Sequence, residues 1–199
     1  MQPIPQNERF HDFADRREKR ILNALRIANF NDTASNLQFV MTSLVLWWWR
    51  YAGAAAPFRV FVRSLCLVGP CSAYYHLNPN SRTLAVDRMA MSAAFGSLLV
   101  HAHASPAAAE ILLWPSVLLS MLTVVYWRAV NDLRPYILLQ YGGALSLLFT
   151  ESWGVLPLYV LAKLCERFDH ELFRMTNNRI SGHTMKHIFA GLSPLFAHV

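Results

Sequence analysis

Beyond residue 32 the chain alternates between long apolar stretches and short polar breaks. Apolar stretches fall at 33–50, 57–77, 84–104, 107–127, 135–150, 153–169 and 180–199. A bilayer core of about 30 Å takes roughly 20 mostly apolar residues per helix, and fewer inside a bundle. The pattern therefore predicts an all-α polytopic membrane protein, a bundle of seven transmembrane helices occupying residues 33–199, with the fifth and sixth helices the shortest. The breaks carry turn chemistry: Ala52-Gly53, Asn78-Pro79-Asn80-Ser81, Ser105-Pro106, Arg134-Pro135 and Asn177-Asn178. Connections this short make neighbouring helices antiparallel. Trp47, Trp48, Trp49, Tyr126, Trp127 and Trp153 sit near the ends of these stretches, where amphipathic rings favour the headgroup level.

Residues 1–32 read differently. Phe10, Phe13, Ile21, Leu22, Leu25 and Ile27 are interleaved with Arg16, Arg17, Lys19, Arg20 and Arg26, a pattern that predicts a short basic amphipathic helix on the membrane surface. No short apolar run with a small-residue cleavage site precedes residue 30, so the N-terminus is expected to be retained.

Composition supports the membrane reading. Of 199 residues, 54% are hydrophobic and 15% charged, and the mean hydropathy is +0.25; ordinary soluble domains are more polar. The net charge of +6 is not gathered into a patch with aromatic platforms, which argues against nucleic acid. It distributes by side instead: fourteen of the eighteen Lys and Arg residues fall in the N-terminal tail or in loops on the same side as that tail. By the positive-inside rule that side is cytoplasmic, the membrane being the inner one if the cell is bacterial. Cys66, Cys71 and Cys165 form no C-x-x-C pair and lie in apolar stretches, so they are expected to be small apolar residues, not a disulfide or thiolate site.

Ionisable residues inside apolar stretches are costly, and each is a functional candidate. His76 closes the second stretch, Asp87 opens the third, and His183 and His187 open the seventh, which puts all four at one depth. Ser72 and His76 are four apart, as are His183 and His187, so each pair shares a helix face. Two imidazoles from one helix and one from another match the three-nitrogen set of a catalytic zinc with an open fourth position. Haem ligation and an interhelical hydrogen-bond network are the competing readings of the His183/His187 pair. In a zinc site Asp87 would orient or deprotonate a water, and Ser72 would hydrogen-bond the water, a ligand or a developing oxyanion. His101, His103, His170 and His198 read as polar helix ends, Lys186 as a side chain reaching for lipid headgroups, and Glu166 and Asp169 as structural partners of Arg167, Arg174 or Arg179.

The set Ser72-Ala-Tyr-Tyr-His76, Asp87 eleven residues on, and His183-Thr-Met-Lys-His187 in the last stretch resembles the signature of the alkaline ceramidase family. That family belongs to a superfamily of seven-span hydrolases that includes the adiponectin receptors. The segment from Ala28 to Leu37 resembles the one that opens the family's first span, and Asp132-Leu133-Arg134-Pro135-Tyr136 and Leu158 to Leu164 resemble stretches of its bacterial members. The resemblance implies a zinc-dependent amidase that cleaves the N-acyl bond of ceramide or another N-acyl lipid, with His76, His183 and His187 as zinc ligands and Asp87 and Ser72 as catalytic partners. A regulatory, receptor-like protein with a structural zinc and little turnover is the alternative. The family also carries calcium in its N-terminal segment. Asp15 and Glu18 fall at suitable places, but Arg20 and Asn29 stand where the family has Asn and an acidic residue, which argues against calcium.

Overall fold

Proline in the first turn, where a missing N–H costs nothing, starts several of the helices. The computed structural model describes residues 3–21 and 25–198. Its principal helices are α1 (Phe30–Ser35), α2 (Leu37–Arg50), α3 (Ala56–Leu77), α4 (Ser81–His103) and α5 (Pro106–Val130). A helical segment then runs as α6 (Arg134–Ile137), a π turn at Leu138–Gly142, α7 (Gly143–Ser146) and a 3-10 turn at Leu147–Phe149. After a second 3-10 turn, Glu151–Val155, come α8 (Leu156–Arg167), α9 (Asp169–Met175) and α10 (Gly182–Leu192). Helical structure thus falls within all seven apolar stretches. Pro57, Pro106 and Pro157 lie in the first turns of α3, α5 and α8, and Asn80 closes a capping box with Thr83 at the start of α4.

Helices α5, α4, α3, α2, α10 and α8 pack in that order, each against the next, and α1 bridges α3 to α10. Close approach is set by small residues. A Cβ on Gly96 would lie 2.6 Å from Ser120 Oγ across the α4–α5 contact, and one on Gly182 would collide with the Cys165 carbonyl oxygen, so α10 begins in backbone contact with α8. Phe58, Phe61, Val62, Leu65, Leu98 and Leu147 form the main core.

Among the described residues, two helices, Ser81–His103 and Pro106–Val130, are long and apolar enough to cross a membrane. At about 1.5 Å per residue, the 14 residues of α2, 12 of α8 and 11 of α10 give shorter rods. On α5, Ile111, Trp114, Leu118, Leu122 and Val125, at helical spacing, make an exposed apolar stripe, and Trp48 and Phe149 are 85% and 86% exposed.

Among the described residues before Phe30, the expected amphipathic helix does not form. The described residues there make a 3-10 turn at Glu8–His11 and a two-stranded antiparallel hairpin, β1 (Lys19–Ile21) with β2 (Leu25–Ile27), in which Lys19 opposes Ile27. One pairing that a helix forbids and one long-range packing contact accompany the difference. Asp15 and Arg17 pair side chain to side chain across two residues, whereas on a helix positions i and i+2 face apart. Phe13 meanwhile leaves the surface to pack on Tyr75, His76 and His183. Leu22 and the side chains of Arg20, Ile21 and Leu25 lie outside the described residues. The three cysteines are free; Cys165 is buried, while Cys66 and Cys71 are partly exposed.

Candidate metal centre

His76 lies in the last turn of α3, and His183 and His187 occupy the first two turns of α10. All three side chains are buried, their ring centroids are 4.8, 4.9 and 4.8 Å apart, and their candidate ligand atoms lie within 4.8 Å of one another. The three residues could hold a metal ion.

The start of α10 is fixed by side chains that complete its unpaired N-terminal donors. Ser181 accepts from the Thr184 N–H, and Asp169 Oδ1 accepts from the His183 N–H at 2.8 Å. Asp32 Oδ1 accepts from both the Ser181 and Thr184 hydroxyls, at 2.7 and 2.6 Å. Two carboxylates at a helix N-terminus also favour the helix dipole. Asp169 is therefore not an arginine partner: Oδ1 holds α10, and Oδ2 accepts from the Ala14 N–H, tying the N-terminal segment to the site.

A test of whether these residues suit a metal comes from their unused nitrogens. Both ring nitrogens of His76 and Nε2 of His187 are buried with no hydrogen-bond partner among the described residues. Buried polar atoms are rarely left so, and neutral imidazole lone pairs converging on one point are the donor set of a borderline-soft divalent cation. His183 Nε2 is 2.8 Å from Lys186 Nζ, so the lysine and a metal compete for that lone pair. Glu166 Oε1, at 3.2 Å from Nζ, is the lysine's other partner.

The inward turn of Lys186 overturns the expectation that it reaches for headgroups. It stands three residues from His183 on the same helix face, and Glu166 of α8 supplies the countercharge that the lipid surface would otherwise provide. Glu166 binds Lys163 as well, at 3.0 Å, and none of the predicted arginines. Burial raises the stakes of such a network, because an unmatched charge there costs several kcal/mol.

Asp87, in the second turn of α4, is 7% exposed, and its Oδ1 has no partner among the described residues. Ser72 lies on the same cavity wall as its carboxylate. Ser72, Asp87, Glu166, Lys186 and His187 line the polar end of an elongated cavity of about 120 Å³. The rest of its wall is apolar, from Met91 and Phe95 to Phe61, Leu98, Leu147 and Leu156. Its length along α3, from Ser72 to Phe61, is about 16 Å at the helical rise. The five residues singled out from the sequence therefore converge. Missed there were Lys163, Glu166 and Lys186 as a network, Asp32, Ser35 and Asp169 as supports, and Phe13 as a cover. Lys163 and Glu166, ionisable residues on one face of an apolar stretch, carried the same signal as Asp87.

His101, His103, His170 and His198 lie away from the cluster, bonded to the His198 carbonyl, the Ser146 hydroxyl, the Asp12 carbonyl and Glu151 respectively. In the N-terminal segment Asp15 already has a cation. Burial works against its ionisation, but hydrogen bonds from Arg17 and Asn31 together with the Arg17 charge hold its carboxyl below the ordinary value. Arg17 also donates to the Arg179 carbonyl, Glu18 is exposed, and the Asn29 amide is spent on the His76 carbonyl. Among the described residues these groups do not assemble an oxygen cage.

No protein-family model matches the chain, and neither a curated protein nor a solved structure matches it.

Proposed function

We propose that the protein is a zinc-dependent hydrolase of the bilayer that cleaves the N-acyl bond of ceramide or a related N-acyl lipid. The observation that carries the reading is a cluster of three buried imidazoles, one of which, His187, lines together with Asp87 and Ser72 an apolar cavity long enough for an acyl chain. The apolar stripe on α5 and the two helices of spanning length support a membrane setting. In this reading the seven helical segments form a multi-pass bundle with the site and the N-terminal segment at the cytoplasmic face.

His76, His183 and His187 would hold the zinc, whose Lewis acidity polarises a carbonyl oxygen and a water when bound. Asp87 takes a proton from the attacking water and returns it to the leaving nitrogen, so that the C–N bond breaks to a fatty acid and an amine. Ser72, on the same wall as Asp87, aims the carboxylate or the water, and the apolar wall holds the acyl chain and excludes bulk water. Ser35 and Asp32 keep His187 and α10 in place.

Phe13, packed on His76 and His183 at 4.7 and 4.8 Å between centroids, favours a second reading, a receptor-like protein whose covered metal is structural. Purified protein separates them: an enzyme contains zinc, releases fatty acid from N-acyl lipids and loses turnover but not metal in Asp87→Asn. Metal-free wild type, or activity surviving in His183→Ala, would overturn the proposal.

A further inference from the structure

Arg88 is 5% exposed, and its guanidinium is boxed by Phe10, Trp127 and Tyr136, with its central carbon 5.1, 4.4 and 4.8 Å from their ring centroids. Its Nη1 is shut off from solvent and has no hydrogen-bond partner among the described residues. A guanidinium carries five N–H donors, and burying one without acceptors is costly. Aromatic rings stabilise the charge but supply no oxygen acceptor, and the Tyr136 hydroxyl already accepts from Gln140 Nε2 at 2.8 Å. Asp87, the preceding residue, is within range of the charge but lies about 100° round the helix.

Arg88 lines a second cavity of about 220 Å³, with Tyr75, Tyr136, Gln140 and Lys163. This cavity and the apolar one share Asp87, Glu166 and Lys186, so the two meet at the proposed reaction centre. The charged residues lining it are Arg88, Lys163 and Lys186 against Asp87 and Glu166. Lys163 and Lys186 are bridged to Glu166, and the wall keeps one positive charge in excess. An oxyanion is the ligand that would supply both the missing charge and the missing acceptors.

We infer that this cavity, the more polar of the two, is a subsite for an anionic group, a carboxylate or a phosphate, carried on the amine side of the substrate and received by Arg88. The orientation rests on the amidase reading: with the scissile amide at Asp87, the acyl chain enters the apolar cavity and the amine-borne anion enters the polar one. The substrate class is then an anionic N-acyl lipid, such as an N-acyl amino acid or a phosphate-bearing N-acyl lipid.

Zinc-loaded full-length protein in detergent is tested with N-dodecanoylglycine and N-dodecanoylglycinamide, which differ in the carboxylate, with binding and fatty-acid release measured in parallel. The acid is expected to bind about ten-fold or more tightly than the amide. Arg88→Met should bring the two within about two-fold, and Arg88→Lys should keep part of the preference. Equal affinity of the wild type for both ligands overturns the subsite, whether or not the variants fold. Survival of the preference in Arg88→Met overturns it as well. Displacement of the acid by micromolar inorganic phosphate assigns the site to a soluble anion and overturns its assignment to a lipid. Release from both ligands with equal efficiency retires the subsite and leaves the amidase; preferential binding of the acid with no release from either does the reverse.

Discussion

The Ser35 hydroxyl lies 2.8 Å from His187 Nδ1 and donates its own hydrogen to the Asp32 carbonyl at 3.0 Å. With that hydrogen committed, the imidazole must donate from Nδ1, which leaves the lone pair on Nε2, inside the histidine cluster. Ser35→Ala is expected to weaken zinc binding about 10- to 100-fold without unfolding the bundle. Competition with a chromogenic chelator measures this, and an unchanged affinity would mean that the ring is oriented by something else.

Lys186 divides itself between His183 and Glu166. Lys186→Met removes a cation that competes for the His183 lone pair, so zinc should bind more tightly, by about ten-fold. Glu166→Gln frees the lysine for His183 and should move the affinity the other way. Opposite signs in the same chelator assay are the expected result; the same sign in both variants would refute the competition.

Asp87→Asn keeps the size of the side chain and removes its basicity. Turnover should fall about 10²- to 10⁴-fold with zinc content unchanged. Ser72→Ala, which loses only the hydroxyl that aims the carboxylate, should cost less in kcat and little in KM. Steady-state kinetics with metal analysis on the same samples distinguish these effects from loss of the site.

Acid should release the N-terminal arm. The Ile4 N–H donates to Asp132 Oδ1 at 3.2 Å, and the Leu133 N–H donates to the Ile4 carbonyl. Arg134's hydrogen bonds hold the Asp132 carboxyl at about 2, below its ordinary 3.8. A depressed carboxyl stabilises the docked form above the ordinary value, and that contribution disappears as the pH falls from about 4 through 2. Faster hydrogen exchange at Ile4 and Leu133 should appear in that window. Asp132→Asn should show it already at neutral pH.

Gly182→Ala places a methyl against the Cys165 carbonyl and the Asp169 backbone. A backbone cannot rotate away as a side chain does, so α10 must shift. The cost is about 3 kcal/mol or more, read as a lower Tm, and zinc should be lost with it because His183 follows immediately.

Periodicity located the helices well because apolar runs bounded by Pro, Asn and Gly leave the backbone few alternatives. It failed before residue 33. There, Phe13 and Ala14 are governed by partners far along the chain, Phe13 by the rings of Tyr75, His76 and His183 and the Ala14 N–H by Asp169, and the helical pattern of charges that surrounds them carries no trace of those contacts. Lys186 failed for the same reason: its neighbours in sequence suggest headgroups, and only the packing of α8 on α10 presents Glu166 to it.

By itself the sequence determined the helical class and nominated Ser72, His76, Asp87, His183 and His187, because burying an ionisable group in an apolar helix is costly enough to mark the residue wherever it stands. Tertiary structure alone decided which nitrogens of the histidines lack a partner among the described residues, which lone pair Lys186 contests, and that an apolar cavity and a more polar one meet at Asp87. Those are properties of distance between side chains that lie up to 152 residues apart, as Ser35 and His187 do, and local pattern holds no record of them.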